Sequence, residues 1–268
     1  MTFEIIDKKC IVRIPREAKS MGIMRLPERC ASAEIHVEAG AEAVAAGVLA
    51  DSSVEVVLGE GAKFELLRVI DAGRDGSCAS QLVVTQSKGS SFRSFYFSQG
   101  GRMVKDDLSV TLEGEGAEAF INGLHDLSGD AVAESHTRVD HQAPSTTSSQ
   151  LYKSVVRDHA HSIFWGRIMV RREAQLTSAY QLNKNMILGA AGRVDTRPQL
   201  EIFADDVKCS HGAATGQMDD DQLFYLQARG IPPAMAVDLL VRGFIQDVVG
   251  QIVHHELRAE VGHRLGLL

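Results

Sequence analysis

Cysteine and proline are scarce in this sequence. The 268 residues hold four cysteines and six prolines. Cys10, Cys30, Cys78 and Cys209 stand far apart, and no CxxC pair occurs. So few and so scattered, they exclude a disulfide framework. The ordinary fate of each thiol is burial as a small hydrophobe. Dense basic runs are also missing; Arg171-Arg172 is the nearest approach, and the net charge is −7. Nucleic acid as main ligand is thereby excluded, because phosphate neutralisation needs clustered Lys and Arg. No apolar run reaches the ~18 residues of a membrane span; AVAAGVLA (43–50) stops well short. The start, MTFEIIDKKC, has neither the charged region nor the apolar stretch of a signal peptide. The expectation is a soluble cytoplasmic protein.

What is present is glycine, 24 residues of it, and short β-type runs. From about residue 33, segments such as EIHVEAGAEA (34–43), VEVVLGEGAKFELL (54–67) and LSVTLEGEGAEAFI (108–121) alternate with turns of Gly or Ala beside an acid. Leu108, Val110 and Leu112 point one way, while Ser109, Thr111 and Glu113 point the other, which is strand periodicity. Gly40 to Gly61 spans 21 residues and Ala174 to Val194 spans 20. A rung of a parallel β-helix takes about 20 residues. Hairpin dipeptides are few: Asp75-Gly76 and Asn122-Gly123. The fold expected is all-β, a parallel β-helix over 33–215 with a lead-in over 1–32 and a helical segment over 216–268. A β-sandwich is the alternative.

The helical segment opens with DDDQLFYLQARG (219–230), acidic at its start and closed by Gly230. Pro232 and Pro233 then open a second helix. In it Val237, Leu240, Val241, Phe244, Ile245, Val248 and Ile252 form an amphipathic stripe. The pair has the outline of a helix-turn-helix, but the acidic first helix argues against DNA. Packing on the β-domain or on a protein partner is the better reading.

Two polar clusters offer chemistry. In SHTRVDHQAPSTTSSQLYK (135–153), His136, Arg138 and Asp140 share one strand face and Thr137, Val139 and His141 the other. Asp140 or Asp130 is placed to orient a histidine; the plain alternative is a hydrogen-bonded polar ladder. In EIFADDVKCSHGAATG (201–216), alternation puts Asp205, Cys209 and His211 on one side, with Glu201 in the same parity. Cys209 and His211 then lie ~7 Å apart and can share a metal or a cluster. A buried Cys beside a surface His is the plain alternative.

Residues of about 100–250 resemble the SufBD family of the SUF iron–sulfur system. The stretches are DLSVTLEGEGAEAFINGL, HTRVDH, TTSSQLYK, GRIMV, AYQLNKNMIL, LLVRGF and the long run from Val194 to Ile231. The resemblance implies a right-handed parallel β-helix with a short C-terminal α-helical segment. It implies pairing of two such subunits, as a homodimer or a SufB/SufD-like heterodimer. It also implies docking of a SufC-type ABC ATPase on the helical segment. KCSHGA resembles the SufD side. SufB-type members carry a Cys and a Glu where this sequence has Asn183 and Gly212. The large N-terminal helical region of many members is absent from the pattern, so a compact form is expected.

The function expected is a scaffold, or scaffold partner, for a transient iron–sulfur cluster, with ATP hydrolysis left to the partner. Cys209 and His211 are the candidate ligands, and Glu201 and Asp205 the candidate oxygen donors. Leu223, Phe224, Tyr225, Leu226, Arg229 and Arg242 are the candidate ATPase contacts, being bulky or of the type enriched at hot spots. Two alternatives stand beside this: a structural SufD-like partner that holds no cluster, and a β-helix enzyme such as a lyase or acyltransferase. A flavin is neither indicated nor excluded. Neither a secretion signal nor a strict six-residue repeat supports the enzyme.

Overall fold

The computed structural model describes residues 2–6, 9–19, 22–26, 32–70, 72–73 and 75–267. It is a parallel β-helix whose chain alternates between two sheets. One has nine strands, in the order β1 (Thr2–Ile6), β2 (Lys9–Ile14), β4 (Ser32–Val37), β6 (Ser52–Leu58), β8 (Ser77–Gln86), β10 (Met103–Leu112), β12 (Val132–His141), β14 (His161–Val170) and β16 (Arg193–Ile202). The other has eight: β17 (Lys208–Gln217), β15 (Ser178–Leu188), β13 (Thr147–Arg157), β11 (Glu118–Leu127), β9 (Ser91–Ser98), β7 (Lys63–Ile70), β5 (Glu42–Val48) and β3 (Met24–Arg25). Every pairing is parallel except β1 with β2. β2 already stacks in parallel on β4, so strands within 1–32 join the coil rather than merely lead into it.

Alternation decides what faces inward. In β10, Val104, Leu108, Val110 and Leu112 are buried while Lys105, Asp107 and Ser109 look outward. The coil length is not constant. Glu42 pairs with Lys63, a step of 21 residues, but Thr147 pairs with Ser178, a step of 31. The expected period of about 20 therefore holds only in the early coils. Ala174 and Val194 are not equivalent positions; Val194 stacks on Ser162. Nor is Asn122-Gly123 a hairpin turn. It lies mid-strand in β11, where a Cβ on Gly123 would come within 2.3 Å of the Tyr152 ring. The missing side chain makes room for that tyrosine.

The turns stack as well as the strands. Gly61 (φ 64°) donates its N–H to Lys88 O at 2.8 Å, one coil on. Gly116 (φ 70°) does the same to Pro144 O at 3.2 Å. Left-handed backbone is needed at each corner, hence the recurring glycines. Later coils put Ser145 (φ 59°) and Leu176 (φ 61°) in that place.

The interior changes character along the axis. Early coils fill it with Val54, Val56, Leu58, Phe64 and Leu66. In the middle it becomes polar. Arg68 reaches across to Asp106, with contacts of 2.5 and 3.1 Å, and Ser80 donates to the same carboxylate at 2.7 Å. Burial works against the Arg68 charge, but Asp106, Tyr152 and Tyr96 together outweigh it and the guanidinium pKa is raised. His125 sits between the Ser162 and Ser135 hydroxyls at 2.8 and 2.9 Å. His141 sits between Thr146 and Ser148, both at 2.8 Å. Burial drives each imidazole down to about 4, so both are neutral.

Three helices follow β17: α1 (Asp220–Ala228), α2 (Pro233–Val249) and α3 (His255–Arg264). Asp219 caps α1 by accepting from Asp221 N and Gln222 N. The stripe on α2 packs on the outer face of the eight-stranded sheet. Val241, Ile245 and Val248 meet Leu67, Val69, Phe95, Phe97, Leu124 and Val155. Lys153 pins the helix by donating to Phe244 O and pairing with Asp247, both at 2.5 Å. Among the described residues no helix is long and apolar enough to cross a membrane.

Candidate functional site

The last coil differs from those beneath it. β16 and β17 end their sheets, so each has one backbone edge free of strand partners. Neither contains a fully buried residue. On β16 and on β15 beneath β17 lie polar atoms, buried and without a partner among the described residues: Thr196 Oγ1, Gln181 Nε2 and Oε1, and Asn185 Oδ1. Buried polar groups are normally paired. The open end is thus an incomplete surface.

Cys209 and His211 occupy this end. They stack on Ala179 and Gln181 of β15, both buried, which puts their side of β17 on the interior face. Cys209 is half-buried against the core, and His211 is exposed. Burial pushes the Cys209 thiol up, partly opposed by a backbone hydrogen bond with Ala179. A metal bound there must therefore displace a proton. The two oxygen donors are placed differently from expectation. Glu201 stacks on Met169 on the outer face of β16, where it pairs with Arg167 at 2.5 Å. Asp205 lies in the turn between β16 and β17. The parity argument ran one strand through residues 201–211, but the chain changes sheets between Ile202 and Lys208. Among the described residues no three His, Cys, Asp or Glu side chains gather as a metal site. Of the other cysteines, Cys78 is buried and Cys30 lies outside the described residues.

The 135–153 cluster splits as expected by face. Thr137 donates inward to Gln150 at 2.8 Å, and His141 joins the polar interior. Outward, His136 is held by Asp107 and Glu134, not by Asp130 or Asp140. Asp140 is taken by Arg171, and Asp130 lies 4.0 Å from His159.

The helical surface is the second candidate region. On α1, Phe224 is 71% and Tyr225 58% exposed, and Leu223 and Leu226 are half-buried. Arg229 lies over the Tyr225 ring at 5.2 Å. Arg242, on α2, is drawn to Asp238 at 2.6 Å. Tyr225 and Leu226 line a shallow apolar groove with Leu240, and Met235 and Leu239 are exposed on the same helix pair.

A family profile described as SUF system FeS cluster assembly, SufBD core domain, matches residues 28–244. The chain belongs to the SufBD family. It is 33% identical over 74% of its length to an iron–sulfur cluster assembly SufBD family protein of Synechocystis sp., and covers 44% of that protein. It is 36% identical over 63% of its length to the iron–sulfur cluster assembly protein SufD of Escherichia coli, covering 40% of it. A SufBD family protein of Mycobacterium bovis is 32% identical over 82% of the chain and 58% of its own length. The chain thus spans about half the length of the curated relatives it matches.

In this SufBD chain, Asn183 is buried inside β15, donating to Tyr152 O at 3.3 Å. Gly212 lies near Leu182. The unpartnered layer of Gln181, Asn185 and Thr196 escaped the reading of the sequence. For the two amides the signal is AYQLNKN, where Gln181, Asn183 and Asn185 occupy successive inward positions.

Proposed function

We propose that this chain works in iron–sulfur cluster assembly as a scaffold or scaffold partner without catalytic turnover of its own. The open end of the coil carries the reading: two free strand edges, a thiol and an imidazole on the inner face, and unpartnered amides beneath. A second SufBD-type chain, identical or related, would pair with those edges and bring groups to those amides. In a symmetric pair Cys209 and His211 become two thiolates and two imidazoles. A mixed set of that kind holds an iron–sulfur cargo with fewer thiolates than a stable resident cluster, which favours release. Asp205, at the rim, is a candidate oxygen donor; Glu201 reaches the cargo only after leaving Arg167. The division of labour follows the chain, with the β-body over 33–215 pairing and the helices over 216–268 facing a SufC-type ATPase. Phe224 and Tyr225 are the proposed anchors there, flanked by Leu223, Leu226, Arg229 and Arg242.

The test is reconstitution with iron and sulfide without oxygen. Cys209→Ala and His211→Ala should each bind less iron and sulfide than the unmodified chain. Equal loading in all three would remove the cluster from this site. A second reading would then stand, a SufD-like partner that positions the ATPase and holds no cluster, which the half-buried, protonated Cys209 favours. The ATPase contact is tested separately, by co-purification of Phe224→Asp with a SufC-type protein; undiminished recovery would refute it.

A further inference from the structure

The helices lie on the eight-stranded sheet, whereas the outer face of the nine-stranded sheet carries a groove of about 420 Å³. Two rows of side chains build it. In the first, Asp107, His136, Trp165 and Arg197 stand in register on β10, β12, β14 and β16. The His136 and Trp165 rings stack at 4.7 Å with 10° between planes, and the Arg197 guanidinium lies 5.0 Å from the indole. In the second row, two residues on, stand Ser109, Arg138, Arg167 and Gln199. Arg138 and Arg167 are direct neighbours on paired strands, an arrangement in which like charges oppose folding.

Glu201 offsets the charge of Arg167, but among the described residues no acid offsets Arg138. Asp107 is engaged by His136 at 3.0 Å and Lys105 at 3.6 Å, and Glu134 lies 2.6 Å from His136 Nε2 without a hydrogen-bonding geometry. Asp140 takes a bidentate contact from Arg171, both arms at 2.9 Å, and Glu201 pairs with Arg167. Arg138 is exposed and has no carboxylate partner among the described residues. A chain of net charge −7 thus keeps an unneutralised guanidinium in a concavity of ligand size.

We propose that this groove binds a small molecule through a phosphate or carboxylate group. Arg138 supplies the free fork, and Ser109 and Gln199 neutral hydrogen bonds. The stacked wall of His136, Trp165 and Arg197 holds one side of the site rigid.

Trp165 is the sole tryptophan, so its emission reports on the groove directly. The full chain is titrated at constant ionic strength with pyrophosphate, AMP, citrate and a hexaglutamate peptide. At least one of the three small anions should give a saturable change, and the pattern among them separates phosphate from carboxylate. Arg138→Gln, an exposed change that leaves the fold intact by circular dichroism, should weaken binding about tenfold or more. No saturable response to the small anions, or an unchanged response in Arg138→Gln, overturns the proposal. Saturation by hexaglutamate alone also overturns it, and assigns the face to an acidic protein segment.

Discussion

The middle coils and the last coil use similar inward-facing chemistry to opposite effect. In the middle, inward hydroxyls, imidazoles and one ion pair are sealed by coils above and below, and most find partners across the interior. At β16 and β17 the stack stops, and the Gln181 amide and the Asn185 carbonyl beneath are left without partners among the described residues. Position in the stack, more than residue type, decides whether a polar side chain is structural or available.

The largest effect should come from breaking the buried pair. Asp106→Ala strands the Arg68 charge and should cost about 3–5 kcal/mol in urea unfolding. Glu201→Ala, which opens the half-exposed pair with Arg167 on the last coil, should cost less than about 1 kcal/mol. Comparable losses would mean that the two regions do not differ as described. Acid comes next. His125 and His141 titrate near 6.5 when unfolded and at about 4 when folded. Between those values the unfolded chain binds more protons, so stability is complete above about pH 6.5 and declines as pH falls toward 4. The loss is on the order of 3 kcal/mol per histidine. Urea midpoints at pH 7 and pH 4.5 measure it, and His125→Gln should remove part of the difference. The smallest effect sits at the corner nearest the open end. Leu176 is strained at positive φ and 60% exposed, so Leu176→Gly should raise stability by up to about 1 kcal/mol. A lower thermal midpoint would show that the corner tolerates its leucine.

Much of the solenoid was legible because a strand with one face inward must alternate, as residues 108–112 do. The corner glycines were legible for a similar reason, since left-handed turns repeat with the coil. The period was not, because the strands themselves grow from six to eight residues in the early coils to ten or eleven in the later ones, and each coil lengthens with them. Arg68 and Asp106 could not be matched either. They sit on different sheets, and an arginine in KFELLRVI reads as a surface residue. At the candidate site, Cys209 and His211 shared a face because two residues apart on one strand always do. Glu201 and Asp205 were misplaced because ADDV carries no glycine or proline to announce the change of sheet. Pro198, by contrast, fits β16 only because that strand lies at an edge.

The two ends of the coil are not alike. At one, β1 runs against the stack and β3 is only two residues long, so a further parallel coil finds little to continue. At the other, two ten-residue strands stand open. If copies join through the β16 and β17 edges, a single such end lets them meet face to face and stop, whereas two would let them add head to tail without limit and grow into fibres.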